Sequence, residues 1–253
     1  MSQVYQSHEI AVPERSVFMS TTKVISEWYE SLLQIFFPSL CLACSRKLFA
    51  HESYLCIHCM FDLPRTRFHT DDANKVAQIF WGRVPVVHAT SWLFFRKGSR
   101  FQRLIHQLKY KGMHEIGFAM GQWMGYDLLG SGFCEVDLVV PVPLHPKKLK
   151  MRGYNQSERI AAGLSDVLKK PLVTGCLVRN RFTDTQTRKS RFSRWQNVEG
   201  IFCLVESQRV AGRHILLVDD VVTTGATLEA AATALLAGGA GKVSIATLAT
   251  AEI

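Results

Sequence analysis

Residues 214–227, His-Ile-Leu-Leu-Val-Asp-Asp-Val-Val-Thr-Thr-Gly-Ala-Thr, constrain the fold of this chain more than any other stretch. Ile215, Leu216, Leu217 and Val218 form an unbroken apolar run, the pattern of a parallel strand covered on both faces. The run meets two carboxylates, Asp219 and Asp220, where the spacing predicts that the strand ends. A small-residue turn follows (Thr223, Thr224, Gly225, Ala226, Thr227), and residues 228–237 have helical composition. Such a strand, turn and helix gather backbone N–H groups and the positive helix end at one point, which suits a phosphate. Gly225 is read as letting that phosphate approach the backbone. The acidic pair cannot take the same role. Carboxylates are acceptor-only and suit the vicinal hydroxyls of a sugar, so the whole stretch fits a ribose 5-phosphate. No Gly-Lys-Ser/Thr and no G-x-G-x-x-G is present, which excludes a Walker loop and a dinucleotide fingerprint.

With 253 residues and 47% apolar content, the chain can bury one α/β core and a small additional module. Its net charge of +9 is unevenly placed: residues 141–195 hold 13 Lys and Arg against 3 acids, a local excess of +10. A basic stretch of this kind faces pyrophosphate, nucleic acid or both, or is a solvated face. The seven cysteines are an odd count, and four of them form two C-x2-C pairs, Cys41 with Cys44 and Cys56 with Cys59, separated by 11 residues. That spacing lets four thiolates meet in a closed tetrahedral zinc site with no open position for catalysis, and it argues for a reducing compartment. Cys134, Cys176 and Cys203 read as core thiols, and His51 and His58 as surface residues or spare ligands. No secretory signal precedes the cysteine pairs and no apolar run reaches membrane-spanning length, so a cytoplasmic protein without a membrane span is expected.

In chain order, residues 1–21 are polar and without periodicity, and residues 24–37 have the spacing of an amphipathic helix stopped by Pro38. Helices are expected over 73–80, 99–110, 116–129 and 157–168, and strands over 86–95, 136–140, 174–178, 197–205 and 243–248. Gly117, Gly121 and Gly125 recur at i+4 and allow close helix packing. Pro141 and Pro143 take the chain out of the sheet into a basic loop carrying Lys147, Lys148, Lys150 and Arg152, a second anion site at a strand's carboxyl end. These elements give a doubly wound, mainly parallel α/β sheet with a small N-terminal zinc-binding module. The expected division is a disordered 1–21, an amphipathic helix with the zinc module over 22–66, a connecting region over 67–130 and the α/β domain over 131–253.

The strand, Asp219-Asp220 and Thr224-Gly225-Ala226-Thr227 resemble the phosphoribosyl pyrophosphate (PRPP) signature of type I phosphoribosyltransferases. Four further motifs lie upstream: the cysteine pairs, Leu108-Lys109-Tyr110-Lys111-Gly112, Pro141-Val142-Pro143-Leu144 and Arg152-Gly153-Tyr154-Asn155-Gln156. With residues 179–186 and Asn197-Val198-Glu199-Gly200, this order over residues 32–250 resembles the ComF family of competence-associated proteins. The resemblance implies a sheet of the type I phosphoribosyltransferase kind, PRPP bound with magnesium, and an association with DNA uptake in natural transformation. It makes Asp219 and Asp220 the catalytic pair and residues 223–227 the 5'-phosphate loop. The pyrophosphate loop it implies spans residues 142–156, with Leu144, His145, Lys147, Lys148 and Arg152, and residues 179–195 become a mobile flap. His145 is a base candidate by position, and the phosphoribosyl acceptor is not identified. The alternative is a non-catalytic, PRPP-responsive single-stranded DNA-binding factor working with other competence proteins. Arg181, Arg188, Arg191 and Arg194, interleaved with Phe182, Phe192 and Trp195, have the charge and stacking composition of a single-strand binder. The sequence leaves both readings open.

Overall fold

The computed structural model describes residues 38–108, 113–179 and 201–251. The helix expected over 24–37, most of the 108–112 motif, and Arg181, Arg188, Arg191, Arg194 and Trp195 lie outside the described residues.

Six strands are described: β1 (Ala89–Phe95), β2 (Leu138–Pro141), β3 (Leu177–Arg179), β4 (Phe202–Leu204), β5 (His214–Val222) and β6 (Lys242–Ala251). The helices are α1 (Ile57–Phe61), α2 (Lys75–Gln78), α3 (Gln102–Gln107), α4 (His114–Leu128), α5 (Pro146–Arg152), α6 (Gln156–Leu168) and α7 (Ala226–Ala237). Among the described residues the main sheet has the order β1-β6-β5-β2, and every pairing in it is parallel. Residues 171–173 extend it past β2, where the Val139 N–H donates to Pro171 O and the Val173 N–H to Val139 O, both at 2.9 Å.

Strand β5 shows why its sequence is apolar without alternation. Leu216 and Val218 enter a core with α4 and α6, while Ile215 and Leu217 enter a second core on the opposite face with α2, α7, β3 and β4. Helices on both faces make the sheet doubly wound, as expected. Two details differ from the sequence reading. The strand expected over 174–178 does not join this sheet; it forms only as β3, which pairs antiparallel with β4 in a separate ribbon, and the sheet takes its outer strand from β1 instead. Strand β5 also runs through the acidic pair to Val222, because the ten-residue β6 continues to pair with it, Asp219 opposite Thr247 and Val222 opposite Thr250.

The first core includes Cys41, Cys56 and Cys59 of the cysteine module together with Leu104, Met120 and Leu164, so the module packs into the α4 and α6 side of the sheet. Helices α4 and α6 cross at backbone distance. A Cβ built on Gly121 would lie 2.1 Å from Ile160 O, and one on Gly163 would lie 2.1 Å from Phe118 O. Only glycine fits at that crossing. The tight contact fixes α6, whose first residues, Gln156 and Ser157, reach the cleft described next.

Candidate functional site

At the carboxyl ends of β2 and β5 lies a cleft of about 340 Å³ lined by residues from five parts of the chain. Open parallel sheets place ligand sites at this end. Asp219 and Asp220 form its acidic side, Lys148, Arg152 and Arg179 its cationic side, and Phe95, Ile105, Val142 and Leu144 an apolar wall.

The acidic pair is held by short local bonds. Ser157 Oγ donates to Asp219 Oδ1 at 2.8 Å, the Asp220 N–H donates to the same oxygen at 2.9 Å, and the Val221 N–H donates to Asp220 Oδ1 at 2.7 Å. Burial pushes the Asp219 carboxyl up to about 7, and the adjacent Asp220 charge adds to the rise. The bonds from Ser157 and the Asp220 amide, with the nearby Arg179 charge, act in the other direction. A carboxyl so raised gains from any ligand that brings hydroxyl donors or a cation to it. Carboxylates with a phosphate-bearing ligand are the usual donor set for magnesium, so this pair is of the type that would hold it.

Beside the cleft, Asp219, Thr223, Thr224, Gly225, Ala226 and Thr227 line a smaller concavity of about 40 Å³. Helix α7 begins here on Gly225 with no side-chain cap, so its first-turn amides keep their donor capacity. Gly225 has φ +76, but its role differs from the one read in the sequence. A Cβ there would meet Ile79 Cγ2 at 2.5 Å and Phe80 Cε1 at 3.1 Å, so a side chain strikes the residues after α2 and not the ligand. Phe80 is fully buried. Gly225→Val should therefore lower the unfolding temperature of the ligand-free protein, with overpacking and backbone strain together costing roughly 2–5 kcal/mol. Chemical denaturation of the purified variant measures this.

The stretch expected as a basic loop is largely helix. Pro146 opens α5 at a position where its missing N–H is harmless, His145 Nδ1 accepts from the Lys147 N–H at 3.2 Å, and Gly153 closes the helix in the left-handed conformation. Of the residues expected around pyrophosphate, Leu144, Lys148 and Arg152 line the cleft, whereas His145 and Lys147 are not among its lining. Arg152 Nη1 donates to Gln156 Oε1 at 2.6 Å, which ties α5 to α6. Gln156, at the end of the expected pyrophosphate loop, and Arg179, at the start of the expected flap, also line the cleft, and Ser157, Phe95 and Ile105 complete it without having been read as site residues. Gln156 closes a recognised motif and Arg179 opens the basic segment, so both carried a signal. Phe95 and Ile105 carried none, because the pairing of β1 with β6 brings that part of the chain to the sheet.

The four cysteines converge. Their Sγ atoms all lie within 4.8 Å of one another, with Cys44 and Cys56 at 3.7 Å. Tetrahedral zinc with bonds of about 2.3 Å separates its sulfurs by about 3.8 Å, so the cluster fits a closed four-cysteine site. For Cys41, burial pushes the thiol up but is outweighed by hydrogen bonds from the amides of Cys44, Cys56 and Ala43, leaving it at about 6, whereas burial and the neighbouring thiols push Cys59 up. Thiolate is the form a metal binds. Glu52 organises the loop between the pairs, accepting from the Phe49 N–H at 2.8 Å and the Ile57 N–H at 2.7 Å. Those two amides hold its carboxyl below the usual range. Arg100 donates to Asp62 at 2.6 Å and Arg103 to Ser45 at 3.2 Å, joining the module to the α3 segment that also carries Ile105.

Residues 155–252 match the phosphoribosyl transferase domain family, a span that holds α6, β5, the small-residue turn, α7 and β6. The DNA utilization protein YhgH of Escherichia coli is 36% identical over 146 residues, covering 56% of this chain and 63% of that protein. Competence protein F of Haemophilus influenzae is 37% identical over 37% of this chain and 41% of its own length. Competence protein ComFC of Bacillus subtilis is 36% identical over 40% of this chain and 39% of its own length. Over these spans the chain is similar to a DNA utilization protein and to two competence proteins. It spans less than two thirds of the length of these relatives. The span of the phosphoribosyl transferase match includes the acidic pair and the small-residue turn. Among the described residues no helix is long and apolar enough to cross a membrane.

Proposed function

We propose that the chain binds PRPP and transfers its phosphoribosyl group to an acceptor, in the service of DNA uptake. The observation that carries this is the meeting, in one 340 Å³ cleft, of an acidic pair and three cations, next to an uncapped helix N-terminus. In this reading the 5'-phosphate takes the amides of residues 223–227, Asp219 and Asp220 accept from the ribose hydroxyls, and Lys148, Arg152 and Arg179 face the pyrophosphate. The acceptor's nucleophile forms a bond to the anomeric carbon as the bond to pyrophosphate breaks, and the electron pair leaves with pyrophosphate. The transition state is an oxocarbenium-like ribose beside a departing anion, so fixed cations aimed at that anion do most of the catalysis. Magnesium, when bound with PRPP, neutralises pyrophosphate oxygens. The apolar wall of Phe95, Ile105 and Val142 limits water, the competing nucleophile. In the same reading the four cysteines hold zinc for stability, and the protein works in the cytoplasm.

A second reading is favoured by the names of the relatives, which point to DNA handling and not to a metabolic acceptor. Here PRPP acts as a signal, and single-stranded DNA meets the basic aromatic segment containing Arg181, Arg188, Arg191, Arg194 and Trp195. Measuring pyrophosphate release from PRPP, with and without single-stranded DNA, separates the two. The enzyme reading expects release that rises with a suitable acceptor. The signal reading expects intact PRPP and DNA binding that weakens with salt, with a slope of about 0.7 per phosphate neutralised, and weakens further when Arg191, Arg194 and Trp195 become Ala.

A further inference from the structure

Arg83, which follows α2 and lies 141 residues from Thr224, grips the small-residue turn from behind. Its Nη1 donates to Thr224 O at 2.9 Å and to Ile79 O at 3.1 Å, and its Nη2 is ion-paired with Glu229 in the first turn of α7. We infer that Arg83 is a positioning residue for the phosphate site, setting its affinity without touching the ligand. The inference rests on the reading that residues 223–227 take a phosphate.

Two physical consequences follow from the geometry. The C=O and N–H of one trans peptide point in opposite directions, so pinning Thr224 C=O on Arg83 aims the Gly225 N–H away from Arg83. Gly225 lines the 40 Å³ concavity and Arg83 does not, which puts that N–H on the ligand side. Ile79 and Phe80 back the same glycine, so the α2 segment holds the turn by packing as well as by hydrogen bonds. The second consequence is electrostatic. A helix N-terminus attracts an anion, but Glu229 in the first turn of α7 already places a negative charge there and would oppose a phosphate. The Arg83 guanidinium cancels it. The same ion pair is partly exposed, with 36% and 31% of the side chains accessible, so its value lies in the local field and not in global stability.

Calorimetric titration with ribose 5-phosphate tests this on four proteins: wild type, Arg83→Met, Glu229→Gln and the double variant. Arg83→Met should bind at least about tenfold more weakly, from a lost carbonyl bond and an uncompensated charge. Adding Glu229→Gln to it should recover part of that loss, which a purely structural role for Arg83 would not allow. Glu229→Gln alone keeps the Thr224 bond and should bind at least as tightly as wild type. Wild-type affinity in Arg83→Met, no recovery in the double variant, or weakened binding in Glu229→Gln would each overturn the role of Arg83. A wild type that ignores ribose 5-phosphate would instead overturn the phosphate reading of the turn, and the inference with it.

Discussion

Replacing Cys44 by Ser is expected to empty the metal site and unfold residues 38–63. Structural zinc contributes on the order of 10 kcal/mol to folding such modules, as much as the whole net stability of an ordinary domain, about 5–15 kcal/mol. Serine keeps the size of the side chain but gives up the thiolate, and a site with three sulfurs is no longer closed. The module's own apolar contacts are too few to replace that energy, with Leu55 and Leu63 its largest buried aliphatic side chains. Because Cys41, Cys56 and Cys59 share a core with Leu104 and Met120, the damage should spread to α3 and the near face of α4. The second core, which supports α7 and the small-residue turn, has no residue from the module and should persist. Metal analysis and hydrogen exchange check both parts. Wild type should carry about one zinc per chain, and the variant none, with fast exchange over 38–63 and slow exchange retained in β5 and β6. Protein purified without chelator and found free of zinc would contradict the account.

The second large effect belongs to the acidic pair. Converting Asp219 and Asp220 together to Asn should weaken ribose 5-phosphate binding about a hundredfold or more, at about 1.5–3 kcal/mol for each hydrogen bond to a charged group. Stability should move the other way. A carboxyl held at about 7 in the fold, against about 3.9 in an unfolded chain, keeps its proton in the folded state across that interval. Raising pH through the interval therefore removes stability from the wild type, and the loss is complete above the folded value. An asparagine in place of Asp219 has no proton to lose and can still accept from Ser157 and from the backbone amide of the next residue. The unfolding temperature of the double variant relative to wild type should thus rise between pH 5 and pH 8. Parallel thermal melts at the two pH values read this directly, and a gap that stays constant or shrinks would show that burial does not hold the Asp219 carboxyl above its ordinary range.

Much of this was legible in the chain because the decisive residues are contiguous. Residues 214–227 carry strand, acid pair, turn and helix start within fourteen positions, and the structure assembles them locally. The cysteine cluster was equally readable, since two short spacings bring four thiols together. What the sequence concealed is long-range. Nothing near Phe95, Ile105 or Arg83 announces a role; each acquires one because β1 pairs with β6 or because a guanidinium reaches Thr224. Helix α5 reads as loop in the sequence because its lysines, and the prolines that lead up to it, mask a short helix with no buried side chain. The strand boundary expected at Asp219 fails for a different reason. Carboxylates usually end apolar strands, but here the length of β6 sustains the pairing to Val222.

Calorimetric titration of the wild-type protein with PRPP and magnesium tests the central claim most directly. One site per chain is expected, dependent on magnesium and lost in the Asp219→Asn, Asp220→Asn double variant. Heat no greater than dilution for the wild type, or a double variant that binds as tightly as wild type, would contradict it.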